Sequence, residues 1–398
     1  VEVDPWDPES TPVKHTNMGR FKHEGANVTI SDSGHAVAYM GDVEKFDYLY
    51  KFVSKDKFIE GDREHNKTLL TDGDLFVAKF TGNSPKSEID GSGDVPSDGE
   101  FDGSGQWLPL VKDGKSQVSG FSVEEVLVNT RLAADKVGPT KMDRCEDVEP
   151  NPVNGRIYVA CTNNSDRGTS GKAGADEANP RTENRDGHIV EITERSGDHT
   201  GTNFDWTLLL VCGDPKQGDA TYFSGFPADQ VSPISCPDNV AFDTDGNLWI
   251  STDGNALKSN DGLFYVGTDG KNRGEVKQFL TVPKGAETCG PIVTENREVG
   301  LRLNHGPFDA EISYYESDAD LGSRLNSVGG VYQVRRERTE IDGIEFTGGW
   351  QVNEAHRLKL SYAQVNGQSD TDGDGKVDLK NSVPDAMMTA GRMISELG

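Results

Sequence analysis

The sequence predicts an all-β chain, an incomplete β-propeller followed by a few antiparallel, barrel-like strands. Glycine (46) and proline (18), with a steady supply of Asp and Asn, place turn residues about every ten positions, as short strands joined by tight turns require. Between the turns stand short apolar segments such as HAVAYMGD, YLYKFVS and GRIYVACTNN. After about Asn296 the segments lengthen and alternate, which separates a second region from the first.

From Val1 to about Pro291 the elements run ANVTI, HAVAYMGD, YLYKFVS, LFVAKF, GRIYVACTNN, HIVEI, TLLLVCG, NVAFDTDGNLWISTDG and GLFYVGTDG. Several read as an apolar strand, a polar turn with Asp and Gly, and a second apolar strand, roughly the size of propeller blade elements. The repeat is one of style and not of letters, and a β-sandwich is the competing architecture. Polar stretches at 81–106, 164–186 and 213–235 read as surface excursions, the first also as a disordered insertion. The expected division is a propeller over residues 1–295 and a strand segment over 296–398.

The second region contains FDAEISYYESDAD, GGVYQVRRERTEIDGIEFTGGWQV and HRLKLSYAQVNG, alternating in the manner of outer-membrane barrel strands. The strings RTEIDGIEFTGGWQV and RLKLSYAQVNGQSDTDGDGKVD resemble the C-terminal barrel region of TonB-dependent outer-membrane receptors. Too few strands are present to close a barrel, so the expectation is a fused or spliced fragment.

At 398 residues the chain can bury a large core. With 40 Lys+Arg against 67 Asp+Glu the net charge is −27, which argues against nucleic acid or anionic lipid as a partner. Cys145, Cys161, Cys212, Cys236 and Cys289 are an odd count without the close pairs of a zinc site. They allow at most two disulfides. No stretch approaches the ~20 apolar residues of a membrane helix. The chain opens on VEVDPWDP without an initiator Met or a signal pattern, so the expectation is a natural N-terminus further upstream.

The densest chemistry is MDRCEDVEPNP, with Arg144, Glu146, Asp147 and Glu149 close together. In an extended segment Arg144 and Glu146 share a side. A guanidinium fork matches two phosphate oxygens, and a neighbouring carboxylate holds a hard cation touching the same group. The competing reading is a solvated acidic turn. In CPDNVAFDTDGNLWISTDG, Asp238 stands at the mouth of a strand, whereas Asp243 and Asp245 read as turn residues. Glu2 lies on a short apolar strand, Glu24 at another strand boundary, and Glu287 in the Gly-bounded turn GAETCGP. A carboxylate on an apolar strand needs a partner, which makes Glu2 a candidate metal ligand, although a strand at the chain end could simply be exposed.

VEVDPWDPESTPVKHTNMGRFKHEGA, YMGD, YLYKFVS, LFVAKF, NTRLAAD, MDRCEDVEPNP, CPDN, DTDGNLWISTDG and GAETCGP occur in the order found in PhoX-type alkaline phosphatases, which residues 1 to about 291 resemble. The resemblance implies a propeller holding ferric iron and calcium bridged by an oxo group, and hydrolysis of phosphomonoesters outside the cytoplasm, in the periplasm or beyond the cell. It implies Arg144 as phosphate clamp, Glu146, Asp238 and Glu2 as metal ligands, and Glu24 and Glu287 as further ligands. The family's cysteine ligand to iron falls before the VEVDP strand, and Cys145 is not promoted to that role. The end of the propeller after GAETCGP is expected to be lost.

Charge supports the metal independently of the resemblance. A chain of net charge −27 repels a phosphate dianion unless bound cations invert the local field, and oxygen ligands suit calcium and ferric iron. The partners expected are small phosphomonoesters, on a monomer, with any membrane association confined to residues 296–398. Two alternatives stand beside the enzyme: a calcium-binding propeller module without turnover, and a spliced fragment of an outer-membrane receptor. Asp370, Asp372 and Asp374 before Gly375 resemble the start of a calcium loop, but Asn381 stands where a bidentate Glu belongs, and an acidic turn is the preferred reading.

Overall fold

The computed structural model describes the chain except residues 5, 6, 8, 255, 294, 295, 306, 329, 330, 354, 355, 370–378, 381–386 and 395–398. Of 296–305, 311, 313, 315, 317–328, 331–339, 365, 368, 369, 379, 380 and 387–394 it describes the backbone alone. The calcium-loop-like aspartates at 370, 372 and 374 therefore lie outside the described residues. The chain divides into Val1–Val293 and Thr294–Gly398.

The first unit is built from strands β1 (His23–Ile30), β2 (His35–Asp42), β3 (Leu49–Lys57), β4 (Gly73–Gly82), β5 (Asp102–Lys112), the short β6 (Lys115–Ser116), β7 (Cys145–Pro150), β8 (Ile157–Cys161), β9 (His188–Glu194), β10 (Asn203–Val211), β11 (Pro237–Phe242), β12 (Leu248–Thr252), β13 (Gly262–Val266) and β14 (Val276–Thr281). The all-β expectation holds. Three four-stranded antiparallel meanders recur, β1–β4, β7–β10 and β11–β14. Strand β5 pairs with both β4 and β10 and so joins the outer edges of the first two. Their inner edges also meet, since Asn27 Nδ2 of β1 donates to the Val148 carbonyl of β7 at 2.8 Å, and the sheet nearly closes.

The apolar segments of β2 and β8 are continuous because both faces of these strands are covered. Strand β2 shows how: Val37 and Tyr39 enter a core shared with β7–β10, while Ala38 and Met40 enter another that includes Val126, Ala133 and Ala134. Those three belong to helices α1 (Val123–Val128) and α2 (Thr130–Asp135). Strand β8 does the same, with Val159 and Cys161 on the first core and Tyr158 and Ala160 on a third core against the last meander. Two-residue alternation thus stitches each meander to the next. Each fully buried Leu, Val or Phe contributes about 1.5–3 kcal/mol.

The polar stretch 164–186 is a surface excursion only in part: 170–172 are exposed, whereas Arg167, Asn179, Arg181 and Asn184 are buried. Arg167 and Asp143 are both fully buried and paired at 2.6 Å, and Asn184 Nδ2 donates to the other Asp143 oxygen at 2.9 Å. Arg181 donates to the carbonyls of Cys212 and Gly187. The segment is drawn inward where Arg167, Arg181 and Asn184 meet buried acceptors. All five cysteines are unpaired, with Cys145 and Cys161 Sγ atoms 3.9 Å apart.

The second unit is an antiparallel sheet of β15 (Asn296–His305), β16 (Phe308–Val328), β17 (Val331–Asn353), β18 (His356–Ser369), β19 (Leu379–Lys380) and β20 (Met387–Ile394). Phe308 stacks on its cross-strand partner Trp350 at 5.5 Å. Among the described residues, no helix of the protein is long and apolar enough to cross a membrane.

Candidate metal centre

The first strand of each meander opens with the same irregularity. His23 pairs with Asp42 and Ala26 with Met40, so Glu24 and Gly25 face Gly41 alone. Cys145 pairs with Cys161 and Val148 with Val159, so Glu146 and Asp147 face Ala160. Pro237 pairs with Thr252 and Val240 with Ile250, so Asp238 and Asn239 face Ser251. These are two-against-one β-bulges, which bend a strand and re-aim its side chains. In each case the first bulged residue is a carboxylate. Glu24, Glu146 and Asp238 converge, with one oxygen from each within 4.8 Å of the others.

Close approach of the inner strands depends on small residues. A Cβ on Gly41 would lie 2.4 Å from the Cys145 carbonyl oxygen, and one on Gly25 would lie 2.5 Å from Asp147 Oδ1. Asp147, the second bulged residue of β7, locks the three strands together. Its Oδ1 accepts from Asn27 Nδ2 at 3.1 Å, and its Oδ2 accepts from the Val240 N–H at 3.1 Å. That engagement leaves Asp147 as a scaffold for the carboxylates on either side.

Arg144 and Glu146 do meet, Nη2 to Oε1 at 2.9 Å, but not through a plain extended segment. Arg144 precedes β7 in a left-handed conformation, φ +60°, and the bulge follows immediately. Its Nε donates to the Val43 carbonyl at 3.1 Å and its Nη1 to Asn163 Oδ1 at 3.3 Å. The Arg144 side chain is 30% exposed against 7% for Glu146, so the guanidinium faces outward from a buried carboxylate.

Burial pushes the Glu146 carboxyl up to about 8; Arg144 opposes the rise, while Asp238, Glu24 and Asp253 add to it. Burial likewise lifts Asp238 to about 7, helped by Glu24, Asp253 and Glu287. Acidic groups crowded away from water hold protons unless a cation compensates them. The donors offered by Glu24, Glu146 and Asp238 are all carboxylate oxygens, and such a set fits calcium or ferric iron better than a soft ion. The residues present therefore fit a hard-metal centre.

Asp238 is shared with a second group formed with Asp253 and Glu287, again within 4.8 Å. Asp253 is a site residue that sequence reading passed over. It follows β12, which pairs with β11, and its N–H donates to the Cys236 carbonyl at 3.1 Å. Glu287 arrives on the segment after β14, which is tied down where the Gly290 N–H donates to Asn239 Oδ1 at 2.9 Å. A cleft of about 460 Å³ opens beside the carboxylates, lined by Glu24, Asn27, Glu149, Asn239 and Cys289 among others.

Glu2 belongs to neither group. It forms a bridge with Val13, and its Oε2 meets His15 Nε2 at 2.6 Å. Asp243 works as a turn residue, accepting the N–H groups of Asp245 and Asn247.

A family model described as "Alkaline phosphatase PhoX" matches residues 1–302. Among solved structures, Pseudomonas fluorescens PhoX in complex with vanadate, a transition-state analogue, is 33% identical, with a TM-score of 0.61 over 79% of this chain. The match covers 51% of that protein, so the chain spans about half its length. No curated protein matches. Nothing in these comparisons supports the receptor resemblance of residues 300–382.

Proposed function

Because this chain belongs to the PhoX alkaline phosphatase family, we propose that it carries the catalytic half-site of a metal-dependent phosphomonoesterase that releases phosphate from small phosphomonoesters. Glu24, Glu146 and Asp238 would hold one cation and Asp238, Asp253 and Glu287 another, with ferric iron and calcium as the metals. Such cations, when bound, supply the positive charge and Lewis acidity that phosphoryl transfer requires. The three meanders are read as consecutive blades of a propeller, and the place of action as the periplasm or the extracellular medium, with the protein a monomer.

The single observation that carries the reading is the threefold bulge, which delivers one carboxylate from each meander to one point beside Arg144. A turn built only for solvation has no reason to repeat that geometry. Arg144 does the phosphate-side work. Of the five N–H groups of a guanidinium, three are engaged by Val43, Asn163 and Glu146. One remains on each terminal nitrogen, a planar pair suited to two phosphate oxygens. Glu146 orients that fork, and its contact with Arg144 strengthens as the carboxylate ionises. The fork gains most where charge accumulates on the phosphoryl oxygens in the transition state.

Hydrolysis of a chromogenic phosphomonoester, followed with chelator and with added iron and calcium, tests the reading. Turnover that chelator abolishes and metal restores supports it. Tight binding of metal without turnover favours a calcium-binding module instead.

A further inference from the structure

We propose that Lys22 is a second phosphate-binding cation, the counterpart in the first meander of Arg144 in the second. The claim rests on the phosphatase reading above and deepens it. Each bulge is preceded by a residue whose carbonyl accepts an N–H from just past the second strand: Val43 to Lys22, Thr162 to Arg144 and Asp253 to Cys236, each at 3.1 Å. Lys22, Arg144 and Cys236 thus occupy one position of a threefold repeat, two residues before Glu24, Glu146 and Asp238.

The equivalence extends to the side chains. Arg144 Nη1 binds Asn163, the residue after Thr162, and Lys22 Nζ binds Glu44, the residue after Val43, at 2.5 Å. In the third repeat the corresponding residue is Gly254, where a Cβ would come within 2.5 Å of Cys236 Sγ. Two of the three positions therefore carry a cation held by the same neighbour. Val43 links them directly, since its N–H donates to the Lys22 carbonyl and its carbonyl accepts from Arg144 Nε.

Lys22 differs from Arg144 in being free to move. Its side chain is 62% exposed and that of Glu44 42% exposed, and exchange of a solvated pair of this kind for an anion meets little resistance. An ammonium is a strongly hydrated point charge without a planar fork. Lys22 accordingly contributes to capture of the phosphate dianion in the ground state, while Arg144 contributes to the chemical step.

The test compares wild type, Lys22→Met, Lys22→Arg and Arg144→Ala, with Lys55→Met as a remote control for the lost charge. Two quantities are read in protein supplied with iron and calcium: binding of inorganic phosphate by calorimetry, and KM and kcat for a chromogenic phosphomonoester. Lys22→Met should weaken phosphate binding and raise KM by about five- to tenfold, with kcat nearly unchanged, the scale of one lost charge-assisted contact. Lys22→Arg should restore both, and Lys55→Met should change neither. If Lys22→Met binds phosphate and substrate as wild type does while wild type turns over, the Lys22 assignment is overturned and the phosphatase reading stands. If wild type never turns over yet loses phosphate binding on Lys22→Met, the phosphatase reading fails and the Lys22 assignment stands. If wild type neither binds phosphate nor turns over, both are overturned.

Discussion

Raising the pH on metal-stripped protein should destabilise it, and the carboxylate cluster sets the size of the effect. Glu146 is raised from 4.5 to about 8 and Asp238 from 3.8 to about 7. Between the unfolded and folded values the folded chain binds more protons than the unfolded one, so stability falls as pH rises through this window and levels off above it. Each pH unit is worth about 1.4 kcal/mol per group, and the two groups repel one another, so their contributions do not simply add. The pair accounts for a loss on the order of 5 kcal/mol between about pH 4 and about pH 8. Urea unfolding of chelator-treated protein, run from about pH 4 to about pH 8.5, reads this loss as a fall in midpoint. Saturating calcium should flatten the profile, as should the double variant Glu146→Gln/Asp238→Asn. A midpoint equally steep in the double variant would refute the argument, because the slope would then arise elsewhere.

Arg144→Ala should lower kcat/KM by about 10²–10³, the range for removing a donor aimed at transition-state charge, and Arg144→Lys should recover little because the fork is lost; wild-type rates in steady-state kinetics would remove the clamp role. Asp143→Ala removes the close counter-charge of the buried Arg167, leaving only Asp176 at 3.6 Å, and takes the nearer of two partners from Asn184 Nδ2, a loss of about 3 kcal/mol. A change below ~1 kcal/mol in the urea midpoint, the scale of an exposed ion pair, would show that the 164–186 segment is not part of the core. Gly41→Ala forces a methyl against the backbone of Cys145 and Glu146, so it should cost about 1–3 kcal/mol and also weaken metal binding in a calorimetric titration. Unchanged metal affinity would mean that the spacing of β2 from β7 does not matter to the centre.

The all-β class was legible because turn residues and apolar segments alternate along the whole first unit. Glu146 and Asp238 stood out in the letters and Glu24 entered through the family resemblance, but the bulges that bring the three together were not visible. The three bulges share a backbone pattern and almost no side chains: KHEGA, RCEDV and CPDNV have only a carboxylate in common. Asp253 was hidden for a related reason, since STDG reads as a turn until the pairing of Pro237 with Thr252 brings it beside Asp238. Segment 164–186 looked like surface because its polar residues find their partners in Asp143, Cys212 and Gly187, which composition does not reveal. Glu2 drew attention as a carboxylate on an apolar strand, and its Oε2 lies 2.6 Å from His15 Nε2.

Calcium titration of chelator-stripped protein by calorimetry tests the convergence of Glu24, Glu146 and Asp238 most directly. Wild type should bind the ion, and Glu24→Gln, Glu146→Gln and Asp238→Asn should each weaken binding by at least about tenfold, with Asp238→Asn the most severe because Asp238 belongs to both groups. A titration identical in wild type and in all three variants would contradict the account.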